Sequence, residues 1–229
     1  MQHPLDREVW NMLHGRMAHL AVGTTAAKRI DPRYGPFVAA RDASDVSQHA
    51  LAKLFDTADE QLWLVEPEAW AAPDGMRIAE SVEVVQLVAG LEGPADATDD
   101  PDIVALVEED AAEMAHLAHT TEPGPWRKLT HRYGQFFGIR RDGVLVAIAG
   151  ERMLPADGYA EVSGVCTLEE HRGKGLARRL IQRVMAAQRA RGDRPYLHAY
   201  IHNHGAIGLY ESLGFVKRRN LVVTMLEKA

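Results

Sequence analysis

The sequence of 229 residues contains a single cysteine, Cys166. One thiol cannot form a disulfide within the chain, so the disulfide-stapled folds of small secreted proteins are excluded. No run of 18 consecutive apolar residues occurs, which excludes a membrane-spanning helix. The opening residues MQHPLDREVW carry charges and no apolar run. We therefore expect no signal peptide, no membrane partner and a cytoplasmic protein.

An overall excess of positive charge is also missing, because the formal net charge is -6. This balance argues against nucleic acid as the main partner. Hydrophobic residues make up 46% and charged residues 25% of the chain, as in an ordinary globular protein that buries a sizeable core. Nothing in the sequence defines the oligomeric state, and a homodimer stays open.

The acidic average hides one strongly basic window between Arg172 and Arg194. It contains a single acid, Asp193, and eight basic residues: Arg172, Lys174, Arg178, Arg179, Arg183, Arg189, Arg191 and Arg194. The window therefore carries +7, and the rest of the chain carries -13, the difference between -6 and +7. A local positive site on an acidic protein indicates a compact anionic ligand.

A segment rich in Gly, Pro, Ala and Asp, Gly90–Pro101, divides the chain and reads as a linker or loop. We predict an N-terminal α/β half over residues 1–95 and a second domain over 96–229. In the first half, apolar spacing predicts a helix over Leu5–Leu20. The other elements predicted there are strands at Phe37–Ala40, Gln61–Val65 and Val82–Val88 and a helix at Val46–Phe55.

The second half shows clearer signals, beginning with a helical pattern over Ile103–His119. Two apolar runs, Gln135–Arg140 and Val144–Gly150, flank Asp142-Gly143 and predict a hairpin. The elements predicted after it are a strand at Tyr159–Thr167, a helix ending before Gly192 with Leu176, Leu180, Ile181, Val184 and Met185 on one face, a strand at Pro195–Ile201, a short helix at Ala206–Leu213, and one or two strands within Phe215–Leu226. A strand–helix–strand unit implies parallel strands within a mixed sheet.

The turn before the long helix, Glu170–Arg178, has the features of a phosphate site. Free N–H groups and the dipole at a helix start attract anions, and glycines at 173 and 175 allow close approach. Four cations (Arg172, Lys174, Arg178 and Arg179) crowd this positive end, where each costs about 0.3–1 kcal/mol unless an anion neutralises it. A solvated basic face is the alternative interpretation. The P-loop and dinucleotide-binding patterns are both absent.

Arg172-Gly-Lys-Gly175-Leu-Ala177 resembles the [Q/R]-x-x-G-x-[G/A] signature of the GCN5-related N-acetyltransferase (GNAT) superfamily. The order of hairpin, long strand, signature, helix, strand and short helix is similar too. Asn203-x-x-Ala206-x-x-x-Tyr210 followed by Leu213-Gly214-Phe215 also resembles the family's usual run. The similarity covers about residues 100–229. It implies an α/β (α+β) fold, with a mixed, mostly antiparallel sheet whose central strands splay apart between flanking helices, preceded by a smaller α/β half.

The resemblance also implies where acetyl-CoA would bind. The diphosphate would contact the amides of Gly173, Lys174, Gly175, Leu176, Ala177 and Arg178, with Arg172 shaping the turn. The pantetheine arm would add to the exposed backbone of Val165, Cys166 and Thr167. Asn203 would hydrogen-bond the arm, and Ala206 would leave room beside it. No metal is implied.

Acyl transfer from a thioester to an amine needs a base for the amine and an acid for the leaving thiolate. Glu161 lies six residues before Thr167, so regular pairing would place both on one face of the strand. By resemblance Glu161 is the predicted base, with Glu151 in reserve and a surface ion pair as the alternative. Tyr210 is the predicted acid by the same resemblance, or else a core tyrosine.

Other reactive residues are given structural roles. Cys166 lacks an evident activating partner and reads as a small buried strand residue. His198, His202 and His204 read as strand-end or substrate-pocket residues rather than metal ligands.

We therefore predict an N-acetyltransferase that moves an acetyl or short acyl group from CoA to a small-molecule amine by direct transfer in a ternary complex. The residues 1–95 resemble the first half of two-part members such as glycine N-acyltransferase-like proteins. Acetylation of protein lysines or N-termini, a non-catalytic acyl-CoA-binding module, and a plain phosphate-binding protein remain as alternatives.

Overall fold

The computed structural model describes residues 3–91, 100–122 and 124–229. Its α-helices are α1 (Glu8–His14), α2 (Asp45–Ala52), α3 (Ala111–Thr121), α4 (Leu176–Ala190) and α5 (His204–Ser212). Its strands are β1 (Ala21–Gly23), β2 (Ala27–Ile30), β3 (Phe37–Ala40), β4 (Leu62–Glu66), β5 (Met76–Ala89), β6 (Ile103–Leu106), β7 (Phe136–Arg141), β8 (Val144–Glu151), β9 (Tyr159–Thr167), β10 (Arg194–Tyr200) and β11 (Phe215–Lys228). None of the helices in these ranges has the length and hydropathy needed to cross a membrane.

All the described strands join one sheet in the order β1-β2-β3-β4-β11-β5-β10-β9-β8-β7-β6. Pairing is antiparallel except between β3 and β4 and between β9 and β10. The predicted mixed, mostly antiparallel sheet flanked by helices is therefore confirmed. Strand β5 from the first half lies between β10 and β11 of the second half. The predicted boundary at residue 95 and most of the predicted linker fall at 92–99, outside the described residues.

Local sequence signals located several elements closely. The predicted hairpin is formed by β7 and β8, with Asp142 and Gly143 both at positive φ (52° and 82°), as a type I′ turn requires. The apolar stripe predicted for α4 is buried against the sheet. Its burial removes the helix's apolar face from water, which stabilises the packing of α4 on β7 to β10.

Two helix predictions were too long. The Leu5–Leu20 pattern contains only the short helix α1, because the chain turns at Gly15 and forms a 3₁₀ turn over Ala18–Leu20. Residues Ile103–Leu106, predicted as helix, form strand β6, since they pair along β7 at the sheet edge. The strands β1 and β2 were not predicted at all.

Strand β9 contains a bulge at Gly164. Its pairing with β8 shifts register between Cys166↔Ile148 and Ser163↔Gly150, so β9 has one extra residue there. Gly164 has φ +60°, which disfavours a residue with a Cβ. A Cβ added to Gly164 would also lie 2.8 Å from Cε1 of Phe136. Both backbone conformation and packing therefore require glycine.

We predict that Gly164→Ala lowers the free energy of unfolding by about 3 kcal/mol, because backbone strain and the clash with Phe136 add. Gly158→Ala is the matched control, since Gly158 has φ +79° with open space where the Cβ would lie. Backbone strain alone should lower the free energy of unfolding of Gly158→Ala by about 1 kcal/mol. Urea unfolding of both variants measures the difference, and equal losses would contradict the packing argument.

Candidate active site

A cleft opens where β9 and β10 diverge. Their parallel pairing comprises Arg194↔Tyr159, Pro195↔Ala160 and Tyr196↔Glu161 in the described chain. Beyond these pairs the strands separate around a cavity of about 300 Å³, lined on one side by Val162–Val165 and on the other by His198–Tyr200. In the described parts of the chain no strand lies beside the inner backbone edge of β9 beyond these pairs, so this edge can bind an extended ligand.

The bulge in β9 changes which side chains share a face. Val162 and Val165 both pack toward α4, although an odd spacing would place them on opposite faces of a regular strand. The pairing is therefore not regular, and the even spacing of Glu161 and Thr167 does not put them on one face. Glu161 faces the cavity, whereas Cys166 packs in a separate cluster with α3.

The turn that leads into α4 has a backbone geometry that can bind an anion. Gly173 and Gly175 have φ +74° and +75°, and Gly175 is the residue that precedes the helix. The first backbone N–H of α4 that donates to a backbone carbonyl is that of Arg179, which donates to Gly175 O at 3.2 Å. The amides of residues 173–178 thus remain available at the positive end of the dipole.

The basic residues around this turn do not all face a ligand. Arg172 Nε donates to Thr167 O at 3.2 Å and so ties the turn to the end of β9. Arg179 instead forms ion pairs with Asp100 (2.6 Å) and Asp102 (2.9 Å). Of the four crowded cations, Arg179 is therefore neutralised by the protein, which corrects the expectation that all four need an anion.

The start of α5 supplies one rim of the cavity. Asn203 caps the helix, because its Oδ1 accepts the N–H of Ala206 at 3.1 Å. Asn203, Ala206 and Tyr210 all line the cavity. Tyr210 is half-buried and packs edge-on against Phe215. Burial raises the pKa of Tyr210 to about 12, so its phenol is protonated at neutral pH.

Glu161 is fully buried at the floor of the cleft and is held by Arg152. The guanidinium donates Nε to Oε2 at 2.8 Å and Nη2 to Oε1 at 2.6 Å. His198 Nδ1 donates to Oε1 at 2.9 Å. Burial alone would raise the pKa of Glu161, but the Arg152 charge and these hydrogen bonds hold it at about 2. The carboxylate is therefore stably ionised.

A second buried carboxylate, Glu8 of α1, approaches the same histidine from the opposite side. Glu8 Oε1 lies 3.2 Å from His198 Nε2, and Gln86 Nε2 donates to Glu8 Oε2 at 3.2 Å. Burial raises the pKa of Glu8 to about 7. Although burial lowers the pKa of His198, the neighbouring Glu8 and Glu161 raise it above its usual value. Glu8 and His198 are therefore poised to share one proton near neutral pH.

Sequence reasoning missed Glu8, Gln86 and the pairing of Arg152 with Glu161, and it left His198 without a definite role. One signal for Glu8 was present: it lies three residues after Leu5 and four before Met12, both fully buried. A carboxylate on that apolar face needs a partner inside the protein.

The remaining predicted residues lie apart from the cavity lining. The reserve base Glu151 is buried in an ion pair with Arg191, and its Oε2 accepts Gln135 N–H at 3.0 Å. Cys166 is buried, and burial raises the pKa of its thiol to about 11. His202 stacks on Tyr200. Among the described residues, no group of three His, Cys, Asp or Glu side chains could hold a metal ion.

Comparison with known proteins gives relatives that are all described as acetyltransferases. Residues 103–215 match the model of the Acetyltransferase (GNAT) family. The chain is 33% identical over 124 residues to N-alpha-acetyltransferase RimI of Mycobacterium tuberculosis, covering 49% of this chain and 77% of that protein. The crystal structure of an acetyltransferase of the GNAT family from Novosphingobium aromaticivorans superposes on this chain with a TM-score of 0.94. The two sequences are 52% identical over the full length of both chains. A GCN5-related N-acetyltransferase from Kribbella flavida, 20% identical over 97% of this chain and 93% of its own, shares the fold with a TM-score of 0.61.

We predict that Arg152→Met destabilises the protein by about 3–5 kcal/mol at pH 7, because the buried Glu161 carboxylate loses its guanidinium partner. In the wild type, the lowered pKa of Glu161 stabilises the fold above about pH 4.5, and this stabilisation is lost as the pH falls toward 2. The difference in the free energy of unfolding between Arg152→Met and the wild type should therefore become smaller below pH 4.5. Urea unfolding of variant and wild type at pH 7 and at about pH 3 measures this change.

The control is Arg132→Met, which breaks the exposed 2.6 Å pair with Glu108 and should change stability little. The buried ion pair would be contradicted if Arg152→Met lost no more free energy of unfolding than the control. A loss of free energy of unfolding that stays the same at both pH values would contradict it too.

Proposed function

Since the chain belongs to the acetyltransferase (GNAT) family, we propose that it moves an acetyl group from acetyl-CoA to the amine of a small molecule by direct transfer in a ternary complex. N-acetyl transfer and acetyl-CoA as donor follow from the family. The observation that carries the choice of acceptor is the cavity between β9 and β10, which residues of the N-terminal half close on one side. We also propose a cytoplasmic location, where acetyl-CoA is available.

The donor's diphosphate would bind the free amides of residues 173–178. Positive φ at Gly173 and Gly175 turns successive N–H groups outward, and no side chain at these two positions blocks the approach. Lys174 and Arg178 add positive charge beside these amides, while Arg172 fixes the turn. A helix start of this kind binds phosphate without a dedicated side-chain pocket.

The pantetheine arm would extend along the free edge of β9 into the cleft. The backbone of Val165, Cys166 and Thr167 would bind it as an additional strand would. Asn203 uses its Oδ1 to cap α5, which leaves its N–H₂ group for an acceptor on the arm. The small Ala206 would leave room beside Asn203. This route delivers the thioester to the cavity.

The reacting groups meet at the inner end of that route. An N–H of the bulged segment at residues 165–167 would stabilise the oxyanion. Tyr210 would return a proton to the CoA thiolate as it leaves, since its phenol stays protonated at neutral pH. Glu161 would contribute through His198: held by Arg152, it is a weak proton acceptor, but it fixes the position and tautomer of the imidazole.

The acceptor side of the cavity comes from strands of the N-terminal half and from β11. Its wall is largely apolar: Phe37, Trp63, Val65, Val84 and Val223. A volume of about 300 Å³ lies at the lower end of the range for small-molecule pockets. An amine with a compact apolar body fits this space better than a peptide chain, which needs an open groove.

Acetylation of a protein N-terminus is the second candidate function. The 33% identity to an N-alpha-acetyltransferase favours it. That match spans 49% of this chain, whereas the closing wall of the cavity includes Phe37 and Trp63 of the N-terminal half. We therefore rank the small-molecule acceptor first.

We predict that purified protein incubated with acetyl-CoA releases thiol when small amines with apolar bodies are added. The test panel contains such amines, polar amines, amino acids, and peptides with free N-termini. Turnover with small apolar amines and not with peptides is expected. Turnover confined to peptides would replace the small-molecule function by N-terminal acetylation.

We also predict that Gly175→Ala weakens acetyl-CoA binding at least tenfold, because a Cβ at φ +75° distorts the amides that bind the diphosphate. The matched control is Gly143→Ala, which places the same strain (φ +82°) in the hairpin turn. Calorimetric titration with acetyl-CoA measures both affinities. Equal affinities for the two variants would remove the turn from the donor site.

A further inference from the structure

We propose that Glu8, brought into the cleft by α1, is the catalytic residue that accepts the proton of the acceptor amine, with His198 sharing that proton. The inference rests on the proposed function and adds a residue from the N-terminal half to its active site. A pair formed by Glu8 and His198 would thus act as the general base, and the ion pair of Arg152 and Glu161 would hold it in place.

The position of Glu8 carries the inference. Its side chain is almost fully buried, yet it lines the same cavity as Tyr210 and the bulged segment of β9. Oε1 lies 3.2 Å from His198 Nε2, so a proton can pass directly between the two groups. The apolar wall that would hold the body of the amine lines this same cavity, together with the Glu8 side chain.

The surroundings hold Glu8 in this position. Gln86 Nε2 donates to Glu8 Oε2 at 3.2 Å and to the Leu5 carbonyl at 3.1 Å. Gln86 Oε1 in turn accepts Arg218 Nε at 2.9 Å, and Arg218 pairs with Asp6. The neutral amide of Gln86 therefore orients Glu8. The Arg218 guanidinium, which contacts Gln86, forms its ion pair with Asp6 and not with Glu8. The carboxylate is fixed without being neutralised.

The charges that face Glu8 explain why it suits a base. Arg152 and Glu161 neutralise each other through two hydrogen bonds, so their combined effect on Glu8 is small. Among the described residues, His198 is the other charged group with a strong effect on Glu8. Tyr196 of β10 is uncharged, because burial raises its pKa well above its usual value. Burial raises the pKa of Glu8 to about 7, close to the value that favours proton transfer at neutral pH. Glu161, with a pKa of about 2, is much the weaker acceptor.

The amine nitrogen attacks the thioester carbonyl, a C–N bond forms, and one N–H proton moves to Glu8 Oε1. The C–S bond then breaks, and the thiolate takes its proton from Tyr210. Glu8 returns its proton through His198 and solvent, which reprotonates Tyr210. Amine and acetyl-CoA thereby become amide and CoA with no further reactant.

The test compares Glu8→Gln with the wild type on two acceptors of the same shape. One is the best amine of the panel, and the other is its trifluoromethyl analogue, whose amine is far less basic. For the basic amine, kcat should fall about 100-fold, because base catalysis typically contributes 10²–10⁴-fold. For the weakly basic analogue, kcat of Glu8→Gln should fall less than tenfold, because this amine depends less on a base. The inflection near pH 7 in kcat/KM should also disappear.

Glu66→Gln is the matched control. Glu66 is another buried carboxylate of the N-terminal half whose pKa burial raises, but it pairs with Arg7 outside the cavity lining. It should leave turnover and the pH profile unchanged. Acetyl-CoA affinity should match the wild type in both variants. If Glu8→Gln does not fold, Glu8→Asp replaces it and should keep the inflection with a lower kcat.

The outcomes separate the two claims. A wild type that turns over no amine overturns the proposed function and, with it, the role of Glu8. An active wild type with an equally active Glu8→Gln overturns the role of Glu8 alone. Equal losses for the two acceptors would also overturn it, since they would indicate a structural effect.

Discussion

The structure depends on one limited interaction, the parallel pairing of β9 and β10 over only three residue pairs. Because the strands part beyond Glu161 and Tyr196, an otherwise continuous sheet contains a cleft at its centre. Backbone groups that would form a ladder become available to a ligand, and the side chains at the point of divergence become the floor of the cavity. The bulge at Gly164 directs the free segment of β9 around this opening.

Residues from both halves of the chain line the same cavity. The turn before α4, the free edge of β9 and the start of α5 belong to the second half and, in the proposed function, would supply the donor side. Strand β5 crosses the centre of the sheet and Glu8 of α1 lines the cavity, so the first half would supply the acceptor side. The buried network of Glu8, His198, Glu161 and Arg152 joins these contributions where acyl transfer would occur.

The sequence predicts those features that local pattern specifies. The hairpin follows from Asp142-Gly143, and the turn before α4 follows from glycine spacing and helix start. Strand β6 was missed because four apolar residues beside a helix carry no signal of the edge pairing that makes them a strand. The insertion of β5 between β10 and β11 depends on contacts distant in sequence. Glu8 was missed for the same reason, since only the fold brings α1 to His198.

The most direct test of the account is hydrogen–deuterium exchange of backbone amides with and without acetyl-CoA. If the cleft and the turn before α4 hold the donor, exchange slows at Val165 and Thr167, whose N–H groups alternate away from β8, and at residues 173–178. Exchange in the β7–β8 hairpin should stay unchanged. Protection absent from both segments, or confined to another part of the sheet, would contradict the account.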